Sequence, residues 1–233
     1  MAKCQFTTNY WDHESHNEGD YKCPDDEETP GSGICIFHDA NYLKEDKEKH
    51  IEHEQKVRNK LTDKISEAVA RKETLLCIGY YLPDITIKES FAIPVYFTKC
   101  NFQGEAQFSG TSFDSTADFK SAVFSEGATF SYARFFGGAR FNSAKFLNDI
   151  AFFYKTRFCG KITRFNYAEF TGEAKFEAAE FSGETADFSG ATFSGKKATS
   201  GKHTSLGKRK PTSVQQRSLG KNQTFISAIL EME

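Results

Sequence analysis

The chain has 233 residues, 38% hydrophobic and 27% charged, with 30 Lys and Arg against 32 Asp and Glu and a formal net charge of −2. That balance argues against a uniformly basic nucleic-acid binder and against a uniformly acidic mimic of DNA. No run approaches the roughly 18 apolar residues of a membrane span, and the start MAKCQFTTNYWDHES lacks the apolar stretch of a secretory leader, so a cytoplasmic protein is expected.

Residues 1–39 hold the first chemically informative group. The six cysteines of the chain are too few for a disulfide framework, yet three of them fall within the first 35 residues beside a histidine. Cys4, Cys23, Cys35 and His38 offer three thiolates and one imidazole, the last two in the C-x-x-H segment CIFH, a set suited to tetrahedral zinc. Pro24 and the TPGSG stretch supply turns, and so polar a segment has too little apolar content to fold without an ion as its core. All four positions are filled by protein groups, which favours a structural site over a catalytic one. The spacing is not that of a standard finger, so His13 and His16 stand as alternative ligands, and free thiols in a flexible arm stand as the alternative to a metal.

Residues 40–76 read as a charged amphipathic helix, because 40–75 contain no Gly or Pro and are rich in Lys and Glu. Val57, Leu61, Ile65 and Val69 recur every four residues as an apolar stripe that needs a partner. His50 and His53 lie on the same helix and are expected to be solvated.

Residues 77–195 are dominated by a repeat, small-x-Phe, seen as CNF, AQF, TSF, ADF, AVF and onward from residue 94. Its ring positions run from Phe97, Phe102, Phe108 and Phe113 to Phe146, Phe152, Phe158 and Phe193, with steps alternating between five and six. A helix is excluded, since two Phe five residues apart would sit roughly 140° apart at 3.6 residues per turn. A continuous strand is excluded too, because an odd step sends alternate side chains to opposite faces. Each unit must therefore contain a corner: the small residue and the Phe point inward, the middle residue points outward, and Ser-Gly, Gly-Glu or Asn-Ser turns the chain.

This pattern resembles the pentapeptide-repeat family over about residues 91 to 195. The resemblance implies an all-β solenoid, a right-handed quadrilateral β-helix of four units per coil, here about 4–5 coils and about 20 Å long at the usual strand separation. Weaker units at Tyr80, Ile85 and Phe91 are expected to supply a first coil, and the apolar stripe of the helix is expected to cover its open end, with homodimerisation as the alternative. The steps Phe152 to Phe158, Phe158 to Phe165 and Phe181 to Phe188 are each one residue longer than the alternation expects and read as corner bulges.

Four units per coil stack every fourth outward residue. One face then carries Tyr96, Asp118, Arg140, Arg164 and Asp187, and the preceding face Ser112, Arg134, Arg157 and Glu180, so Arg134, Arg140, Arg157 and Arg164 form a two-by-two cluster across one corner. Residues 120–164 hold eight Lys or Arg against two acids, whereas 165–195 hold one against six. The cluster is a candidate anion-binding patch, with Tyr132, Phe136, Phe153 and Tyr154 as aromatic contacts. The competing reading is a solvated ladder in which Asp118, Glu180 and Asp187 neutralise it.

Residues 196–233 form a basic low-complexity tail, with eight Lys or Arg and no acid before Glu231, for which disorder is expected. Ser194-Gly195-Lys196, Ser200-Gly201-Lys202 and Leu206-Gly207-Lys208 keep a six-residue rhythm after the Phe have vanished, as a frameshift in repetitive DNA would leave it. Nucleic acid is not supported as a partner beyond this tail. No catalytic constellation emerges anywhere in the chain, so the expected function is non-catalytic: a macromolecular binding or scaffolding module with a protein partner. DNA mimicry toward a topoisomerase, which the family resemblance suggests, and a membrane-associated accessory role are the alternatives.

Overall fold

The computed structural model describes residues 2–13, 15–28, 31–44, 46–147, 150–195, 198–199 and 205–206. From Leu75 onward the chain winds into a four-sided β-solenoid of about five turns, each face a six-stranded parallel sheet. The strands are mostly two residues long, as the five-and-six spacing requires, because each inward Phe is followed at once by a corner. One face stacks Leu76, Tyr96, Asp118, Arg140, Arg164 and Asp187, and the preceding face stacks Ser90, Ser112, Arg134, Arg157 and Glu180, in the register inferred from the spacing.

Inside, rings of successive coils lie face to face. Phe119 and Phe141 have centroids 4.9 Å apart and planes 2° from parallel, and Phe141 and Phe165 follow at 4.7 Å. Rings on adjacent or opposed faces meet edge-on, as Phe119 and Phe130 do at 5.4 Å and 83°. Such pairs add about 0.5–1.5 kcal/mol beyond the area they bury. Ala two positions before each ring leaves it room. Two Thr that replace Ala donate their hydroxyls to a carbonyl of the coil below, Thr111 to Ile87 at 2.6 Å and Thr156 to Phe130 at 2.7 Å.

Several expectations need correction. Phe153, not Phe152, is the inward ring: it is fully buried and stacks on Phe130 at 5.1 Å and Phe176 at 4.6 Å. Phe152 faces outward beneath the Lys175 ammonium, 5.0 Å from its ring centroid. The long step thus falls between Phe146 and Phe153. The extra residues after Phe158 and Phe181 do sit at one corner, where they lengthen the following strands to Ile162–Arg164 and Thr185–Asp187. Glycine is required there, since a Cβ on Gly160 would lie 1.7 Å from the Gly137 carbonyl oxygen.

In the first coil the ring positions are taken by Cys77, Leu82, Ile87 and Phe91; Tyr80 and Ile85 instead occupy the position of the small residue. This larger, aliphatic coil receives the cap. Helix α1 (Lys47–Arg71) starts at Asp46, whose side chain accepts from the Lys49 amide, and follows a 3₁₀ turn at Ala40–Lys44. It buries Val57, Leu61, Ile65 and Ala68 toward the first coil, while Val69 is exposed, because 3.6 residues per turn carries the stripe from 65 to 68. The stripe is consumed inside the chain, so it is not the dimerisation surface weighed above. His50 and His53 are half-buried against Tyr42, with His53 stacked on it at 4.3 Å.

The tail lies outside the described residues but for two strands. Ala198–Thr199 pairs with Ala174–Lys175 and Ser205–Leu206 with Glu180–Phe181, so the ladder continues past residue 195. Disorder of the remaining tail, and its frameshift reading, fall outside what the structure describes.

Candidate functional site

Three local structures converge on the candidate ligands. Strands β1 (Thr7–Asp12) and β2 (Asn17–Lys22) form an antiparallel hairpin, and Cys23 leaves it with its amide bonded to the Phe6 carbonyl. Cys4 is held by its amide on the Asp25 carbonyl, and Cys35 and His38 share a turn closed by the His38 amide on the Cys35 carbonyl. The Glu27 carboxylate accepts from the Gly31 and Gly33 amides at 2.9 and 3.1 Å and so shapes the loop that returns to Cys35.

The result is a buried group in which the three sulfurs and the imidazole nitrogen all lie within 4.8 Å of one another. Cys23 Sγ is 3.6 Å from Cys35 Sγ, and His38 Nδ1 is 3.6 Å from Cys4 Sγ and 3.2 Å from Cys35 Sγ. A tetrahedral ion with metal–sulfur bonds of about 2.3 Å has edges of about 3.8 Å between sulfurs and 3.6 Å from sulfur to nitrogen, so these residues fit one. The second ring nitrogen supports the same conclusion: Nε2 donates to the Ile78 carbonyl at 2.9 Å, which leaves Nδ1 free to ligate. The Cys35 sulfur and burial push the Cys23 thiol up, so a cation is what would hold the charged ligand form. Phe6 stacks on His38 at 3.8 Å and lies against Gly79, where a Cβ would come within 2.4 Å of the ring.

His13 is not part of this group, and His16 is not in it either. The hairpin instead lies along the solenoid and delivers His13 to Asp118, with Nε2 2.5 Å from a carboxylate oxygen. The His13 amide donates to the Tyr96 hydroxyl at 3.0 Å, and Lys99 Nζ donates to Thr8 Oγ1 and the Asn9 carbonyl. Tyr96 and Asp118, expected as solvated outward residues, are therefore buried, 1% and 2% exposed. Sequence spacing could not show this latch, which joins positions 105 residues apart.

The four arginines are brought together as two stacked pairs, Arg134 over Arg157 and Arg140 over Arg164. Of the expected ladder partners Glu180 pairs, with Arg157 Nε at 2.9 Å. Asp118 is held by His13, by the Thr98 hydroxyl and by the Lys120 amide. Among the described residues, Arg134, Arg140 and Arg164 have no ion-pair partner, and Arg140 Nε and Nη1 are enclosed without a hydrogen bond. Burial, with Arg164 adding to it and Asp118 opposing, lowers the Arg140 pKa. Of the four aromatic residues expected beside this cluster, Tyr132 and Phe136 are about half exposed and Tyr154 is half-buried, with Lys155 Nζ over both tyrosine rings; Phe153 is core.

Residues 97–145 match the family model for pentapeptide repeats, in nine copies. Residues 97–145 of the solenoid are therefore pentapeptide repeats. No curated protein and no solved structure matches the chain. Among the described residues, no helix is long and apolar enough to cross a membrane.

Proposed function

We propose that the chain is a non-catalytic binding module: a pentapeptide-repeat rod whose two-coil arginine face engages a protein partner, and whose N-terminal segment is organised around a structural zinc ion. The observation that carries the reading is the arginine cluster itself. It stands on a solenoid with its interior filled by stacked Phe, so recognition has only the outer faces and the ends to use. Zinc is supported by the Cys4, Cys23, Cys35 and His38 donor set and by its tetrahedral spacing. Four protein ligands leave no position for a substrate, which fits a structural role. The free state of all six cysteines suits a reducing compartment such as the cytoplasm.

The experiment is affinity capture from host extract with the intact chain, with Arg134→Glu/Arg157→Glu, and with a chain truncated after residue 206, each checked for metal content by mass spectrometry. The reading expects one zinc per chain and a partner retained by the truncated form but lost with the charge reversal. Retention by the reversed form would remove the arginine face as the binding surface.

A further inference from the structure

The column Asp118, Arg140, Arg164, Asp187 places two arginines on neighbouring coils, their strands about 4.8 Å apart, between two acids that each accept hydrogen bonds elsewhere. Asp118 is committed to the hairpin latch. Asp187 turns an oxygen to the Ser189 amide at 2.9 Å. Neither arginine has a carboxylate partner among the described residues, and Arg140 is partly enclosed with Nε and Nη1 making no hydrogen bond. A half-buried guanidinium in that condition is costly unless an anion completes it. The adjoining corner is bare: Gly137 and Gly138 carry no side chain, and a Cβ on Gly138 would lie 3.7 Å from Arg140 Nη2, so the approach to that nitrogen is open.

We propose that Arg140 and Arg164 bind a single phosphate monoester group, an assignment that rests on the arginine face described above and gives it a ligand. Two stacked guanidinia match the charge of about −1.5 to −2 on a phosphate monoester, Arg140 donating from its open Nη2 and Arg164 completing the contact. A carboxylate would neutralise only one of them. An extended polyanion fits poorly, because the basic patch ends one coil away in either direction, at Glu180, Glu184 and Asp187 on one side and at Asp114 and Asp118 on the other. The site accommodates one compact dianion and not a run of phosphodiesters.

The test is calorimetric titration of the full chain with inorganic phosphate, with a phosphoserine peptide and with the same peptide carrying unmodified serine, against chloride at matched ionic strength. Saturable phosphate binding is expected, weakened about tenfold or more in Arg140→Gln and in Arg164→Gln and unchanged in Lys145→Gln on another face. Arg164, unlike Arg140, has no enclosed nitrogen lacking a partner, so its variant keeps the test decisive if Arg140→Gln fails to fold. Tighter binding of the phosphopeptide assigns the group to a partner's side chain, and equal binding assigns it to the free ion. Binding no stronger than chloride, or undiminished in both arginine variants, overturns the proposal. The titration uses no partner protein, so its result is independent of whether the charge-reversed face captures one.

Discussion

The N-terminal Cys/His segment and the solenoid solve the same problem by opposite means. The solenoid repeats one small contact, ring on ring at 4.5–5.1 Å for most of its length, so each coil is stabilised by its neighbours and no single residue is unique. The N-terminal segment uses each contact once: one cluster of three thiols and an imidazole, one carboxylate on two glycine amides, one ring against one glycine. Periodic stabilisation degrades locally when a unit is lost, whereas a single-centre domain should fail as a whole.

The largest effect should come from removing the metal ligands. Cys35→Ser, or a strong chelator, is expected to abolish hydrogen-exchange protection in residues 2–44 while the coils from Val95 onward stay protected; equal loss in both regions would break the distinction. Phe130→Ala should cost about 3–5 kcal/mol by denaturant unfolding and leave metal content unchanged, since its stacking partners Phe108 and Phe153 belong to the rod. His13→Ala leaves the buried Asp118 carboxylate without its imidazole and should cost about 1–3 kcal/mol, seen as faster proteolysis within residues 7–22. The smallest effect concerns Glu27. Its bonds to the Gly31 and Gly33 amides hold its carboxyl below the usual range, so the stabilisation is present above the ordinary Glu pKa and is lost as pH falls through the lower folded value. Glu27→Gln should flatten that acid limb for the knuckle alone, monitored by Trp11 fluorescence.

Legibility in the sequence followed the same division. The outward columns were readable because spacing alone sets register in a four-sided coil, and Arg140 stands beside Arg164 as counted. The stretch Ile150-Ala151-Phe152-Phe153 misled because two frames end in Phe; the decisive signal was the alanine, which fits the cramped inward position that Ile150 does not. The cap was readable as a stripe, though a strict four-residue period chose Val69 where the helix turns Ala68 inward. The grouping of Cys4, Cys23, Cys35 and His38 was readable from residue type despite its irregular spacing.

The chain's own order of residues determined the solenoid, its ring columns and the stacking of its charges, because those depend on neighbours five, six or 22 residues away. Only the tertiary structure decided which charges stay in play. Docking of the hairpin buries Asp118 under His13, a pairing between a non-periodic loop and a periodic face that no spacing rule encodes. With that acid bonded to His13, neither Arg140 nor Arg164 has an ion-pair partner among the described residues, although Asp118 still lies one coil from Arg140.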